Sequence, residues 1–416
     1  MASFIVVGGS LGGLLAANML LRAGHQVTLL ERSSRSLEGR GAGIVTHDSL
    51  RDALRAAGAV VDATLGVPVD SRVVLGLDGR TEHAWAHPQV LTSWTRLYKL
   101  LCAALPAANH RLGAPVVDVS QDENGVEATL ADGSTLQADL LIAADGIRSG
   151  VRAKLAPGVQ PVYAGYVAWR GVCDETSLSR LTRQTLFDHF GFGIPDGEQM
   201  IGYPVAGADD GTTTGQRRWN FVWYRPAAEG EELADLLSDA DGQHYPEGIA
   251  PHLVSWRKVR AVREAARERL APQFAEIVEK TAVPFLQPIY DLVSERLAFG
   301  RIALLGDAAF VARPHVGMGV TKAGDDALAL AQAIASHGAT PAALQAYADA
   351  RIPASLAVVE RGRQLGAYLE ARTRPGVACP ARTADQRAVA AMRQTAIDPR
   401  LFASEVLPFE MQNAPA

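Results

Sequence analysis

Short apolar runs, each ending at a glycine or an aspartate, recur along the chain. Ser3–Val7 is apolar and rich in β-branched residues, the pattern of a parallel strand covered on both faces. The turn Gly8-Gly9-Ser10-Leu11-Gly12-Gly13 follows. Leu14 to Arg22 has helical spacing and is closed by Gly24. Gln26–Leu30 is a second buried strand, ending at Glu31-Arg32. This order predicts a βαβ unit with a right-handed crossover. Val116–Asp145 predicts a three-stranded meander, turning at Asn124-Gly125 and Asp132-Gly133, that runs into the strand Leu140–Ala144. Residues 70–97 and 160–225 alternate like strands, with turns at Asp78-Gly79, Asp196-Gly197 and Asp210-Gly211. Leu233–Leu237, Val254–Lys280 and the region Val320 to Leu369 have helical patterns, and Arg301–Leu305 is another buried strand. From Arg374-Pro375-Gly376 onward periodicity is weak, which predicts an extended surface tail.

Composition narrows the function classes. In 416 residues, 48% are hydrophobic and 20% charged, as in a globular protein with a large core. Lys and Arg number 40 against 45 Asp and Glu, a net charge of −5, without the basic excess of a nucleic-acid footprint. No apolar run approaches the length of a membrane span. Three scattered cysteines (Cys102, Cys173, Cys379) support neither a disulfide framework nor a four-ligand zinc site, and the ten histidines have no metal-ligand spacing. The first residues carry no basic region or cleavage site, so the cytoplasm is the expected location.

The glycine turn carries the first chemistry. A dinucleotide fingerprint needs a glycine for the tight turn, a small residue against pyrophosphate and a glycine where helix meets strand. Gly8, Ser10 and Gly13 hold those places, with Leu11 between them. Glu31, 18 residues beyond Gly13, suits ribose hydroxyls. The turn alone does not separate FAD from NAD. Two more strands end in Asp145-Gly146 and Gly306-Asp307, where a carboxylate sits in the ligand crevice of a parallel sheet. Then Gly317-Met318-Gly319 opens a helix whose N-terminal dipole suits a reduced, anionic flavin. Singly, each Asp-Gly pair is more often a plain turn; the ordered set is specific.

In this order, the glycine-rich unit with Glu31-Arg32, Arg40-Gly41-Ala42-Gly43-Ile44, Ala144-Asp145-Gly146 with Arg148 and Val151-Arg152, and Gly306-Asp307-Ala308-Ala309 with Pro314 and Gly317-Met318-Gly319 resemble the single-component FAD-dependent aromatic hydroxylases, the p-hydroxybenzoate hydroxylase-like group. The resemblance spans roughly residues 1–370. Within the group, Ala164–Gly171, Ile201–Val205, Asn220–Tyr224 and Pro314-His315 are most similar to the branch of 2,6-dihydroxypyridine 3-hydroxylases, and the Pro-His pair also occurs in 6-hydroxynicotinate 3-monooxygenases. The resemblance implies an α/β fold. A GR2-type FAD-binding Rossmann-like domain would be built from residues 1–70, 98–158 and 285–370, ending in C-terminal helices. An inserted β-sheet substrate domain would come from 71–97 and 159–284, and an extended tail from 371–416. It implies bound FAD, transiently docked NAD(P)H, O₂ and an aromatic substrate hydroxylated through a flavin C4a-hydroperoxide. It adds Arg32, Arg40 and Gly41 to the cofactor contacts. A homodimer is compatible with it. The sequence departs from the group's pattern at Met318-Gly319-Val320-Thr321, at Phe310 and at Trp94-Thr95-Arg96-Leu97, where the group's usual arginine contact to FAD is out of place and Arg96 is not counted among the cofactor contacts.

Such chemistry needs an electron-rich ring, hence a base or hydrogen-bond partner on the substrate hydroxyl. His315, beside the flavin-edge turn, is the first candidate, and a packing histidine is the plainer alternative. Tyr203 would come from the pocket floor or be a core tyrosine. His47 would reach the flavin or merely begin a helix. Asp188 and His189 read as surface residues, Arg170 as structural or nicotinamide-docking, and Arg257–Arg269 as a solvated helix. An epoxidase or polycyclic-substrate oxygenase of the same fold, and a flavin-binding regulator without turnover, are the alternatives.

Overall fold

The computed structural model describes residues 1–39, 43–379 and 381–398. Ser3–Val7 lies inside a six-stranded sheet in the order Ala298–Phe299, Ile302–Leu304, Leu140–Ala143, Ser3–Val7, Gln26–Glu31, His110–Leu112. The last five run parallel and Ala298–Phe299 pairs antiparallel at the edge. Leu140, Leu141, Ile142 and Val6 are fully buried, because both faces of the sheet are covered. The helices Leu11–Arg22, Gly319–His337 and Pro341–Glu370 and the meander Val116–Gln121, Val126–Leu130, Thr135–Ala138 share one apolar core with it. Val7 pairs with Ala143, Ala143 with Leu304, and Val7 with Leu30. That register brings the four segments that follow these strands to a single edge.

A second sheet has nine strands, ordered Phe310–Val311, Phe285–Val293, Val162–Asp174, Arg218–Pro226, Gln199–Val205, His189–Gly193, Val67–Leu75, Thr81–Ser93, Gly43–Val45. Alternation along Val162–Asp174 splits its side chains between two cores. Val167 and Trp169 join Trp223 and Phe221 under the helices Trp256–Arg269 and Pro272–Lys280. Tyr166 and Ala168 join Tyr203, Val222 and Tyr224 on the opposite face. One face is therefore closed by helices, and the other fronts the edge where the parallel strands end.

Three expectations change in detail. Val254–Lys280 is two helices, because Pro272 cannot continue the first and instead starts the second at its N1 position. The strand-like stretch 160–225 contains a short helix, Arg180–Leu186, started by Ser179, whose hydroxyl accepts from the Thr182 N–H. The C-terminal segment is not extended throughout. Thr383 and Gln386 form a capping box, and Ala384–Gln394 is a helix that buries Ala388 and Met392. Residues 399–416 lie outside the described residues.

What anchors that helix is Arg72, fully buried on the second sheet. Its guanidinium donates to the carbonyls of Met392 (2.9 Å), Thr395 (2.6 Å) and Ala396 (3.0 Å), and its Nε to Gln89 (2.9 Å). A helix's last carbonyls lack partners of their own, and one guanidinium fork supplies them. Losing a hydrogen bond to a charged group costs roughly 1.5–3 kcal/mol. Arg72→Met is therefore expected to release the segment, so limited proteolysis should cut within residues 381–398 at least ~10-fold faster than in the parent. An unchanged cleavage rate would mean that packing of Ala388 and Met392 suffices.

Candidate active site

A cavity of about 880 Å³ opens between the edge where the parallel strands end and the Tyr203–Tyr224 face of the second sheet. On the first side, Gly8 turns the chain at φ +108°, and a Cβ on Gly13 would lie 1.9 Å from the Gly8 carbonyl oxygen. Helix and turn approach so closely that only glycine fits, which leaves Ser10, Leu11 and Gly12 lining the cavity. Glu31 accepts from the Gly9 N–H and from the Ser33 N–H, both at 2.8 Å, so the carboxylate holds the turn in shape.

Asp145 follows the strand Leu140–Ala143. Its Oδ2 accepts from the Val151 N–H at 3.4 Å, while Oδ1 is buried without a hydrogen-bond partner. Burial raises its pKa, against hydrogen bonds that lower it. Asp307 lines the cavity. The protein packed around it raises its pKa; the Lys322 ammonium lowers it and the Asp326 carboxylate adds to the rise. Lys322 is itself buried, donating to the Gly306 carbonyl (3.0 Å) and to Asp326 (3.2 Å). Gly317 (φ +63°), Met318 and Gly319 border the cavity where the helix Gly319–His337 begins, with no side chain capping that end. Its unpaired N–H groups and positive dipole end face the cavity.

The opposite wall is apolar: Phe190, Ile201, Val222, Leu286, Pro288 and Ile289. Five polar side chains interrupt it, Tyr203, Tyr224, Arg170, Gln287 and Tyr290. The Tyr224 hydroxyl is buried and unpartnered, and the Tyr203 hydroxyl makes no hydrogen bond among the described residues. Burial raises the pKa of both, with Arg170 opposing, so both stay protonated at neutral pH.

Ser10, Leu11, Asp307, Gly317, Gly319 and Tyr203 thus share one cavity, while Gly8, Gly13, Glu31 and Asp145 shape its margin. Arg32 is exposed. Arg40 and Gly41 lie outside the described residues. Arg96 lies off the cavity, 3.6 Å from Asp210.

His315 does not line the cavity. It is fully buried, its Nε2 2.9 Å from the Tyr166 hydroxyl and its ring 4.1 Å from that of Tyr224. Burial first, and then the Arg313 cation, push its pKa down to about 3, so the imidazole is neutral. Arg313 is held by Asp291 and Glu370 at 2.8 and 2.7 Å. His47 is also withdrawn: it precedes the helix Asp48–Ala56 and pairs through Nδ1 with the Thr321 hydroxyl at 3.0 Å. Burial lowers its pKa, with Asp398 and the Ala396 backbone opposing.

Sequence reasoning missed Tyr166, Tyr224 and Ala396. The two tyrosines lie on the same face of neighbouring strands, offset by two residues in register, so the period-2 pattern held a signal for them. Ala396 lines the cavity and donates to the His315 carbonyl at 2.9 Å; nothing local in the sequence marks it.

Three comparisons bear on this geometry. The chain matches family models described as "FAD binding domain-like" over residues 163–291 and "FAD binding domain" over residues 254–362. It is 31% identical to the 2,6-dihydroxypyridine 3-monooxygenase of Paenarthrobacter nicotinovorans, over 88% of this chain and 91% of that one. It is 27% identical to the 6-hydroxynicotinate 3-monooxygenase of Bordetella bronchiseptica, over 83% and 86%. The solved structure of 2,6-dihydroxypyridine-3-hydroxylase from Arthrobacter nicotinovorans superposes with a TM-score of 0.83 at 30% identity, covering 92% of this chain and 99% of that one. The glycine cradle, the unpartnered Asp145 Oδ1 and the uncapped helix end fit FAD by their own chemistry. The chain is an FAD-dependent aromatic monooxygenase of the p-hydroxybenzoate hydroxylase-like family.

Proposed function

We propose that the chain hydroxylates a hydroxypyridine-type N-heterocycle, taking electrons from NAD(P)H and oxygen from O₂. The observation that carries this reading is the wall opposite the cofactor cradle: flat apolar side chains with two protonated, unengaged tyrosine hydroxyls. The two hydroxypyridine-acting relatives support it. The balance is ring–H, O₂, NAD(P)H and a proton giving ring–OH, NAD(P)⁺ and water. The division into a discontinuous cofactor domain and an inserted substrate domain belongs to the same proposal.

FAD would be held by the backbone of Ser10, Leu11 and Gly12 at its pyrophosphate, by Glu31 at the adenosine ribose and by Asp307 along the ribityl chain. Its flavin edge would meet the Gly317–Gly319 helix end. When bound, FAD supplies two-electron transfer from NAD(P)H and activation of O₂. The chain's own residues do the rest. Ile201, Val222 and Pro288 exclude water and sandwich the ring. Tyr203 Oη donates to the ring oxygen and stabilises its ionised, electron-rich form; its raised pKa makes it a donor, not a base. His315 acts from behind, fixing Tyr224 by ring contact and Tyr166 by hydrogen bond.

Gly13→Ala should yield protein with little bound flavin, while Gly158→Ala, where a Cβ meets nothing within 4 Å, should stay yellow. Flavin absorbance per mole of protein is the measure, and a fully yellow Gly13→Ala would refute the cradle.

NADH or NADPH oxidation should be slow alone and rise with 2,6-dihydroxypyridine or 6-hydroxynicotinate, with product matching the NAD(P)H consumed. A rate as high without any ring compound would point to an oxidase. Tyr203→Phe should keep FAD and weaken ring binding about 10- to 150-fold, the equivalent of a charged hydrogen bond of roughly 1.5–3 kcal/mol.

His315 also sets a pH dependence of stability. In the unfolded chain a histidine takes up its proton near pH 6.5, and folded His315 does so only near 3. Its contribution is therefore fully present above about pH 6.5 and lost as pH falls toward 3, by up to about 1.4 kcal/mol per pH unit. In urea unfolding, His315→Asn should fall less steeply than the parent between about pH 6.5 and 5. Parallel curves would show that His315 titrates normally.

A further inference from the structure

Three arginines line the cavity; Arg152 is fully engaged and Arg148 has a carboxylate partner. Arg152 donates to the carbonyls of Ile147, Ala308 and Val159, and Arg148 pairs with Glu247 at 2.8 Å. Arg170 differs. It stands on the strand Val162–Asp174, opposite Val222 and Phe285, with its Cζ 6.0 Å from the Phe285 ring. Its Nη1 donates to Gln287 Oε1 at 2.8 Å, and its Nε is buried with no acceptor. Among the described residues no carboxylate lies within ion-pair distance of it. Arg72 on the same sheet has all three guanidinium nitrogens engaged, and although Arg51, Arg96, Arg183 and Arg263 also carry an unpartnered Nε, Arg170 combines it with a place on the cavity wall. Arg170 is half-buried, so water offsets part of its desolvation, but its one protein partner is a neutral amide, and an anion in the cavity would be its first charged one.

We propose that Arg170, oriented by Gln287, is the anion subsite of the cavity: it selects aromatic substrates carrying a planar oxyanion, which binds on the cavity-facing side of the guanidinium. The assignment rests on the hydroxylase reading and deepens it. Tyr203 and Tyr224 are donors, and His315 is walled off, so none of the three takes a proton from the substrate. The ring must arrive ionised or be ionised by the field around it. A guanidinium favours the charged form of an acid beside it. Arg170 thereby supplies through charge what the other wall residues do not supply through proton transfer. Two sources fit this chemistry: a ring oxide, as in ionised 2,6-dihydroxypyridine, and a ring carboxylate, as in 6-hydroxynicotinate.

The test uses the FAD-loaded protein and reads the change in the visible flavin spectrum on binding. The probes are 2,6-dihydroxypyridine, 6-hydroxynicotinate and 6-hydroxynicotinamide, in which the carboxylate is a neutral amide. Arg170→Met should retain FAD and bind the anionic probe about 10- to 150-fold more weakly, as expected for loss of a hydrogen bond to a charged group. Arg170→Lys should restore part of that loss. Weakening of 2,6-dihydroxypyridine identifies the ring oxide as the recognised group. Weakening of 6-hydroxynicotinate alone, with the amide unaffected, identifies the carboxylate. Parent affinity for 2,6-dihydroxypyridine should also rise with pH as the ligand ionises, and that rise should flatten in Arg170→Met. Unchanged binding of both 2,6-dihydroxypyridine and 6-hydroxynicotinate in Arg170→Met would overturn the proposal, whereas equal losses for 6-hydroxynicotinate and its amide, matched by 2,6-dihydroxypyridine, assign the ring oxide. A change confined to the KM for NADH would also overturn it and would assign Arg170 to the nicotinamide. If the parent protein binds none of the three probes, the hydroxypyridine reading itself fails.

Discussion

The parallel register that aligns Val7 with Ala143 and Leu304 is the constraint on which the site depends. Those strands come from residues 3–7, 140–143 and 302–304, far apart in sequence. Because they pair in parallel, Gly8, Asp145 and Gly306-Asp307 all emerge at the same edge, where an open α/β sheet binds its ligands. Moving one strand by a single residue would turn its side chains to the opposite face and carry its terminal aspartate out of line. The fully buried Leu140, Leu141 and Ile142 oppose that slip, so the apolar core does the aligning and the polar residues inherit their positions from it.

The second sheet solves a different problem with the same periodicity. Its Trp169 and Trp223 side is sealed by helices, so the opposite side is free to remain incomplete. Part of that incompleteness lies at the cavity. Arg170 Nε, the Tyr224 hydroxyl, Asn220 Nδ2 and His315 Nδ1 are all buried and unpartnered, and all sit on or just behind the cavity wall. Elsewhere on the sheet Arg72 is saturated, while the indole N–H groups of Trp219 and Trp223 on the sealed side are buried and unpartnered as well. Buried polar groups are costly to leave unmade, and of the unpartnered ones those of Arg170 and Tyr224 belong to residues that line the cavity, where a ligand can reach them.

Much of this was legible in the sequence because it rests on local pattern. The βαβ unit, the meander and the three strand ends follow from apolar runs closed by Gly or Asp. The tyrosine wall was half legible: alternation groups Tyr166 with Ala168 and Arg170, but which of the two faces meets the cavity depends on where the helices Trp256–Arg269 and Pro272–Lys280 pack. His315 illustrates the opposite failure. Its place beside Pro314 and Gly317 was readable, but the side-chain direction that buries it against Tyr166 and Tyr224 was not. The C-terminal helix escaped notice because its anchor, Arg72, lies 320 residues before Met392, beyond the reach of any local window.

The charges around the cavity divide into two kinds of work. Near the cofactor cradle the groups are balanced: the Asp307 carboxylate answers to Lys322, and Lys322 to Asp326. A balanced site can hold a polar cofactor in either redox state without strong preference from the side chains, leaving the helix end at Gly319 to favour the more negative one. On the substrate wall the balance is deliberately lacking, with donors and one cation but no acceptor of comparable strength. Such a wall binds an anion better than the neutral acid from which it derives. An electron-rich ring is the one that an electrophilic oxygen attacks, so the protonation state favoured by binding is also the state that reacts. On the reading proposed above, recognition and activation become the same physical event, and among the described residues no histidine lines the cavity.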